Sequence, residues 1–314
     1  MFAGLVRAEN GSPKISVRPF VNLNRTFLAL VGVLALAAFA RAIFFAGFFG
    51  SDDLRYALRG TELTLGIWRP SELVGELRYG INIPIALFIR LFGTNDLAFS
   101  GWSLFCSMAE VALVFGVAHY VWGLRAAVLG GTVIALAPIH VILGSSPLAD
   151  APLAFLFSVA LVSFFFAEQS GKRWLYIVTG IAVGFSWWVK PVAAVPFAVT
   201  FAVYALVWRV WRRSWLLIFV AGGCVIGLEL AMFWAKFGDP LYAINAMRSG
   251  LNANYIGIQS DPLWGSTSPF FYFRQMFLDG RDMWLAPYLA LAGLLLLARE
   301  ELRRDERRFG SRYV

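Results

Sequence analysis

The sequence predicts an all-α polytopic membrane protein, with about eight transmembrane helices and one further helix lying along the membrane surface. Three observations predict it. Of 314 residues, 59% are hydrophobic and only 15% charged, against roughly 45–50% apolar and roughly 25% charged in an ordinary soluble domain. Apolar runs of about 20 residues, the length that crosses a bilayer core of about 30 Å, recur along nearly the whole chain. Basic residues gather in short clusters between alternate runs, as they do in cytoplasmic loops.

The first run, about 26–49, is too long for a signal-peptide core and lacks a small-residue cleavage site, so it reads as a retained helix. The other spans are expected at about 97–121, 126–144, 148–167, 174–189, 192–208, 214–235 and 283–299. With the N-terminus cytoplasmic, the inner segments carry Arg25; then Arg125; then Lys172 and Arg173; then Arg209, Arg212 and Arg213; then a basic tail that includes Arg299, Arg303 and Arg312. The segment YGINIPIALFIRLFG at 79–93 is apolar but short, is interrupted by Pro84 and carries Arg90. If it spanned, every later loop would flip and WRVWRR at 208–213 would face outward, so it reads as an amphipathic helix in the first outer loop. The chain is expected to form a single membrane domain, 1–314, with 1–25 cytoplasmic, outer loops at 50–96 and 236–282, and the tail 300–314 cytoplasmic. Eleven of the nineteen acidic residues then fall on the outer side.

A formal charge of +8 would suit nucleic acid, but the cations sit in loop clusters rather than on one face, and topology accounts for them. Cys106 and Cys224 both fall inside apolar spans, without the spacing of a disulfide framework or a metal site. The expected partners are lipids and small molecules, with no nucleic acid.

The polar residues that carry chemistry lie at one side of this layout. In FFGSDDLRY, Asp52 and Asp53 follow the first span directly. Adjacent carboxylates on a turning loop point apart, so one can act as a base while its neighbour orients it or holds a cation. The same residues also suit a helix start, where Ser caps and acids favour the first turn. Asp150 sits in the turn between two spans, and helix capping is its plainer reading. Lys190, in GFSWWVKPVAAVPF, is bracketed by apolar residues and calls for a partner, an anion or an outer-face carboxylate, unless it snorkels. Glu110 and Glu229 lie mid-span, where ionisable groups face the bundle interior as a proton or ion path or as internally paired groups. His119 and His140 lack the spacing of metal ligands.

These residues resemble a known family. Asp52-Asp53-x-x-Tyr56 after the first span is similar to the D-E/D-x-x-Y element of membrane glycosyltransferases of the GT-C fold (glycosyltransferase family 39-like), the group of the protein O-mannosyltransferases and lipid A aminoarabinose transferases. NIPIALFIRLFGTNDLAFSGWSLF resembles the family's HPPL…LFG-x-SE-x-ALR stretch, AAVLGGTVIALAPIHVILGSSPLADAPLAFLF its LSP…LTDAPLAFF stretch, and GIAVGFSWWVKPVAAVPF its GLA…TKP stretch. The order is conserved from about 27 to 200, with FGDPLYAI at 237–244 as weaker support. The family histidine and first proline fall at Asn82 and Ile83, and its ALR arginine at Ser100; Arg55, Arg59 or Arg78 is a candidate to take over the phosphate contact.

The resemblance implies a GT-C-like integral membrane glycosyltransferase that moves a hexosyl or pentosyl group from a polyprenyl-phosphate donor to a hydroxyl acceptor on the extracytoplasmic face, inverting the anomeric carbon. It implies Asp52 and Asp53 as the catalytic pair, Tyr56, Asp150, Lys190 and one of the three arginines as substrate contacts, and Asp53 with Asp150 as candidates for a divalent cation, Mg or Mn. The lipid-linked donor and the surrounding lipids are its partners; the acceptor, whether protein, lipid or glycan, is open. A bacterial or archaeal plasma membrane is the expected location. Two other readings stand beside it: a transporter coupled through Glu110 and Glu229, and a shortened, non-catalytic membrane subunit.

Overall fold

In the computed structural model, residues 23–71, 73–208, 211–246 and 248 are described; their regular structure is all helical, without a strand among them. The expected span at 283–299, the tail and most of the second outer loop lie outside the described residues. Apart from Ala137–Ile139, the described residues form one compact unit.

The helices begin and end where local chemistry demands. α1 (Leu23–Ile43) is followed at α2 (Asp52–Thr64) by two acids in the first turn, where the helix dipole favours them. α3 (Tyr79–Phe92) contains Pro84 and stops at Gly93, whose φ of 79° is open to glycine without strain. α4 (Asp96–Trp122) starts from Asn95, whose side chain accepts a hydrogen bond from the Ala98 amide at 2.9 Å. α5 (Leu124–Leu136) and α6 (Pro138–Gly144) meet at a 62° bend, with proline at the first position of the second helix. α7 (Asp150–Ser170) begins with an acid, and α8 (Arg173–Val189) ends before Lys190, which precedes Pro191 and is extended as pre-proline residues are. α9 (Ala194–Trp208) and α10 (Leu216–Phe237) complete the set.

Every expected span within the described residues coincides with a helix, but fewer are long enough to cross a bilayer alone. Four are, in α1, α4, α7 and α10, and a fifth if the bent α5–α6 pair is one span. α8 and α9, at 17 and 15 residues, fall below the roughly 20 that a perpendicular crossing needs. The segment at 79–93 is a helix, as expected. Its buried face carries Ile81, Ile85 and Ile89, while Ile83, Leu87 and Leu91 form an exposed apolar stripe.

Small residues bring the helices together, as they must where lipid supplies no hydrophobic drive between spans. α8 lies on α10 through Gly180, Gly184 and Gly222, so closely that a Cβ on Gly180 would press on the Ile218 carbonyl and lie 3.0 Å from the Gly222 nitrogen. α7 and α8 share a buried hydrogen bond between Ser163 and Thr179 at 2.8 Å. The start of α1 meets the end of α4 through Thr26 and His119, 2.9 Å apart, so those two run antiparallel. The Tyr242 hydroxyl, beyond α10, donates to the Ser71 carbonyl at 3.2 Å and ties the start of the second long loop to the middle of the first.

Candidate active site

One apolar cluster decides which loop ends meet. Tyr56 of α2, Ile81, Ile85 and Ile89 of α3, Ala98 of α4, Ala149 before α7 and Val189 at the end of α8 pack as a single buried group. Residues 150 and 190 follow directly on two of its members. The cluster thus gathers Asp52, Asp150 and Lys190 at one end of the bundle, although they are spread over the sequence.

Asp52 and Asp53 part company at the start of α2. Asp53 is fully buried, and both its oxygens are occupied by its own turn. Oδ1 accepts from the amides of Ser51 at 2.6 Å and Leu54 at 2.9 Å, and Oδ2 from Gly50 at 3.3 Å and from Phe49. The side chain of Asp52 is 43% exposed, and its Oδ2 receives Arg78 Nη1 at 3.2 Å and the Tyr56 hydroxyl at 3.4 Å. No described residue bonds its Oδ1.

Tyr56 and Arg78 form a unit behind that carboxylate. Arg78 donates to the Tyr56 oxygen, and its guanidinium lies 5.8 Å from the ring centroid. Burial pushes the Tyr56 phenol up to about 12, with the carboxylates of Asp52 and Asp150 adding to that and Arg78 opposing it, so the hydroxyl keeps its proton as a donor at neutral pH. The second pair is Lys190 with Asp150, Nζ to Oδ1 at 2.6 Å, with side-chain exposures of 24% and 41%. In both pairs the acid is the more open partner and the cation the more recessed one.

The three candidate arginines separate clearly. Arg78 is at the carboxylate. Arg55 is exposed, with no ion pair among the described residues and its stem beside Gly75. Arg59 is fully buried and committed to Glu62 at 3.0 Å, the Arg69 carbonyl at 2.7 Å and the Tyr79 hydroxyl at 2.8 Å, so the structure does not bring it to Asp52. Asn82, where the family pattern has histidine, is also fully buried; its Nδ2 donates to the carbonyls of Gly75 and Glu76 at 3.3 and 3.0 Å and braces the turn that delivers Arg78. Ser100 is buried in α4 and cannot replace an arginine's charge.

Asp53, a candidate ligand for a divalent cation, offers it no free oxygen. Asp53 has both oxygens taken by backbone amides, and among the described residues no three His, Cys, Asp or Glu side chains converge.

Residues 81–235 match the family model described as dolichyl-phosphate-mannose-protein mannosyltransferase. The resemblance read from the motifs is borne out there. The mannosyltransferase-family segment is just under half of the chain; it holds Asp150 and Lys190, while Asp52, Tyr56 and Arg78 lie before it. No curated protein and no solved structure gives a match. The match to this family model and the apolar helices together support an integral membrane glycosyltransferase.

Sequence reasoning singled out Asp52, Asp150, Lys190 and Tyr56, but overlooked Arg41, an arginine inside the first apolar run that is only 2% exposed. Its signal was in plain sight, because an ionisable residue within a span is expensive and needs a partner.

Proposed function

We propose that the chain transfers a sugar from a polyprenyl-phosphate donor to a hydroxyl acceptor, with inversion, at the end of the bundle that carries Asp52. The observation that carries this reading is the meeting of Asp52–Tyr56–Arg78 with Asp150–Lys190 around one buried cluster. Asp52 is the general base. Its Oδ2 is held by Arg78 and Tyr56, which leaves Oδ1 to take the acceptor proton as the acceptor oxygen attacks the anomeric carbon.

The bond from that carbon to the phosphate oxygen breaks, and its electron pair leaves with the lipid phosphate. Lys190 and Arg78, with the uncommitted Arg55, are the cations placed to stabilise that charge. Asp150 holds Lys190 in place until a phosphate takes its turn, and Asp53 fixes the turn on which Asp52 stands. The lipid tail lies between helices while its phosphate stays at the interface. The eight-span layout with both termini cytoplasmic and the site extracytoplasmic is part of this reading. It is supported by Arg125, Lys172, Arg173, Arg212 and Arg213, which lie at the helix ends opposite Asp150 and Lys190.

The test is transfer of labelled sugar in membranes supplied with polyprenyl-phosphate sugars. Transfer that depends on the chain and on its Lys190 supports the reading; no transfer across a broad donor panel would remove it.

A further inference from the structure

Arg41 sits near the end of α1, and the groups around it come from three other helices. It is 2% exposed, Ser107 0% and Glu110 8%. The guanidinium donates to Ser107 Oγ from Nε at 2.9 Å and Nη2 at 2.6 Å, and from Nη1 to the carbonyls of Ala37 at 3.0 Å and Ala135 at 3.2 Å. Its Nη2 also lies 2.9 Å from His140 Nδ1. A guanidinium only donates, so Nδ1 accepts and the imidazole proton stands on Nε2. That nitrogen lies 2.9 Å from Glu110 Oε2, and the other Glu110 oxygen accepts from Ser158 at 2.8 Å. Cation, neutral imidazole and carboxylate form a chain of zero net charge linking α1, α6, α4 and α7. A charge in such a setting is costly unless compensated in this way.

The chain does not end at Arg41. Gly144, the last residue of α6, packs so tightly on Ser107 and Arg41 that an added Cβ would lie 2.7 Å from Ser107 Cβ and 3.2 Å from Arg41 Nε. The next residue, Ser145, accepts from the Ala46 amide on its Oγ at 3.1 Å and from the Gly47 amide on its carbonyl at 3.2 Å. Phe49, Gly50 and Ser51 then donate to Asp53 at the head of the helix that bears Asp52. Polar contacts, joined by the close packing of Gly144 and by the backbone at 144–145 and 47–49, therefore run from Glu110, inside the bundle, to the turn that presents the carboxylate.

We infer that Arg41, Ser107, His140 and Glu110 are positioning residues, an ionic lock that seats α6 on α1 and, through Ser145, fixes the segment 44–51 and the place of Asp52. The inference rests on Asp52 as the base. Among the described residues none of the four bonds to Asp52, Tyr56, Asp150 or Lys190, so their effect is on the geometry of attack and not on donor affinity.

The test uses the full chain in detergent or membranes, with His140→Leu, Ser145→Ala and the double variant. Transfer rate, donor KM and amide exchange over residues 44–53 are read for each. A misplacement of about 1 Å is enough to cost a reacting pair roughly a hundredfold; the lock predicts kcat down about tenfold in His140→Leu and about threefold in Ser145→Ala. Donor KM stays within about twofold, and exchange at Ala46, Gly47 and Phe49–Ser51 quickens in both. Because both act through one chain, the double variant is no worse than His140→Leu, whereas independent structural damage would add. If His140→Leu does not fold, Ser145→Ala decides, since it removes one hydroxyl and no charge. Unchanged exchange over 46–51 in the folded variants, or additive losses, would overturn the lock. Should the intact chain transfer no sugar, the reading of Asp52 falls, while quickened exchange would still support the lock and unchanged exchange would still overturn it.

Discussion

Lys190 Nζ stands 2.6 Å from Asp150 Oδ1, joining the residue after α8 to the first residue of α7. Both side chains are partly exposed, so the pair adds little to stability, about 0–1 kcal/mol. On the proposed function, its value is in holding an ammonium group ready for the donor phosphate. Lys190→Gln is expected to raise the donor KM about tenfold or more, while melting temperature shifts by no more than a few degrees. Steady-state kinetics with a thermal-shift control checks it; an unchanged KM would separate Lys190 from the phosphate.

Tyr56 supplies one of the two donors on Asp52 Oδ2. Tyr56→Phe leaves the ring in its cluster and removes the hydroxyl, so a loss of roughly tenfold in kcat is expected with the fold intact. The phenol also makes a pH prediction. Its folded value is raised from an ordinary 10 to about 12, so between those values the unfolded chain has lost a proton that the folded chain keeps. Its contribution is therefore complete below 10 and declines as pH rises toward about 12. The stability advantage of the native chain over Tyr56→Phe should narrow across that window, measured by unfolding at a series of alkaline pH values.

The contact between α8 and α10 rests on glycine. A Cβ at Gly180 would lie 2.9 Å from Ala221 Cβ and 3.0 Å from the Gly222 nitrogen, and backbone cannot move aside as a flexible side chain can. Gly180→Val should cost about 1–3 kcal/mol or separate the helices. Gly223→Ala, where an added Cβ meets nothing within 4 Å, should cost little. Comparable losses from the two would contradict the packing.

Most of the helical plan was legible because hydrophobic length is a local property. The expected runs at 97–121 and 148–167 appear as Asp96–Trp122 and Asp150–Ser170. The turn positions of Asp150 and Lys190 were enough to place both at one end. What local pattern could not carry was pairing across the sequence. Arg41 and His140 are 99 residues apart, and nothing in either neighbourhood announces the other. The same limit left Arg55, Arg59 and Arg78 equivalent: Arg59 pairs locally with Glu62 three residues on, but only tertiary contacts bury it against Tyr79 and bring Arg78 to Asp52. The acid pair fits both of its sequence readings in part, since Asp53 holds the helix start while Asp52 stays open.

The most direct test of the central claim is the rate of sugar transfer by Asp52→Asn and Asp53→Asn at matched amounts of folded protein, with donor binding measured alongside. With Asp52 as the base, Asp52→Asn is expected to lose transfer by about a hundredfold or more while donor binding survives. Asp53→Asn should lower melting temperature but keep transfer per folded molecule within about tenfold, because its carboxylate serves the turn. Undiminished transfer in Asp52→Asn would contradict the account and return the pair to a purely structural role.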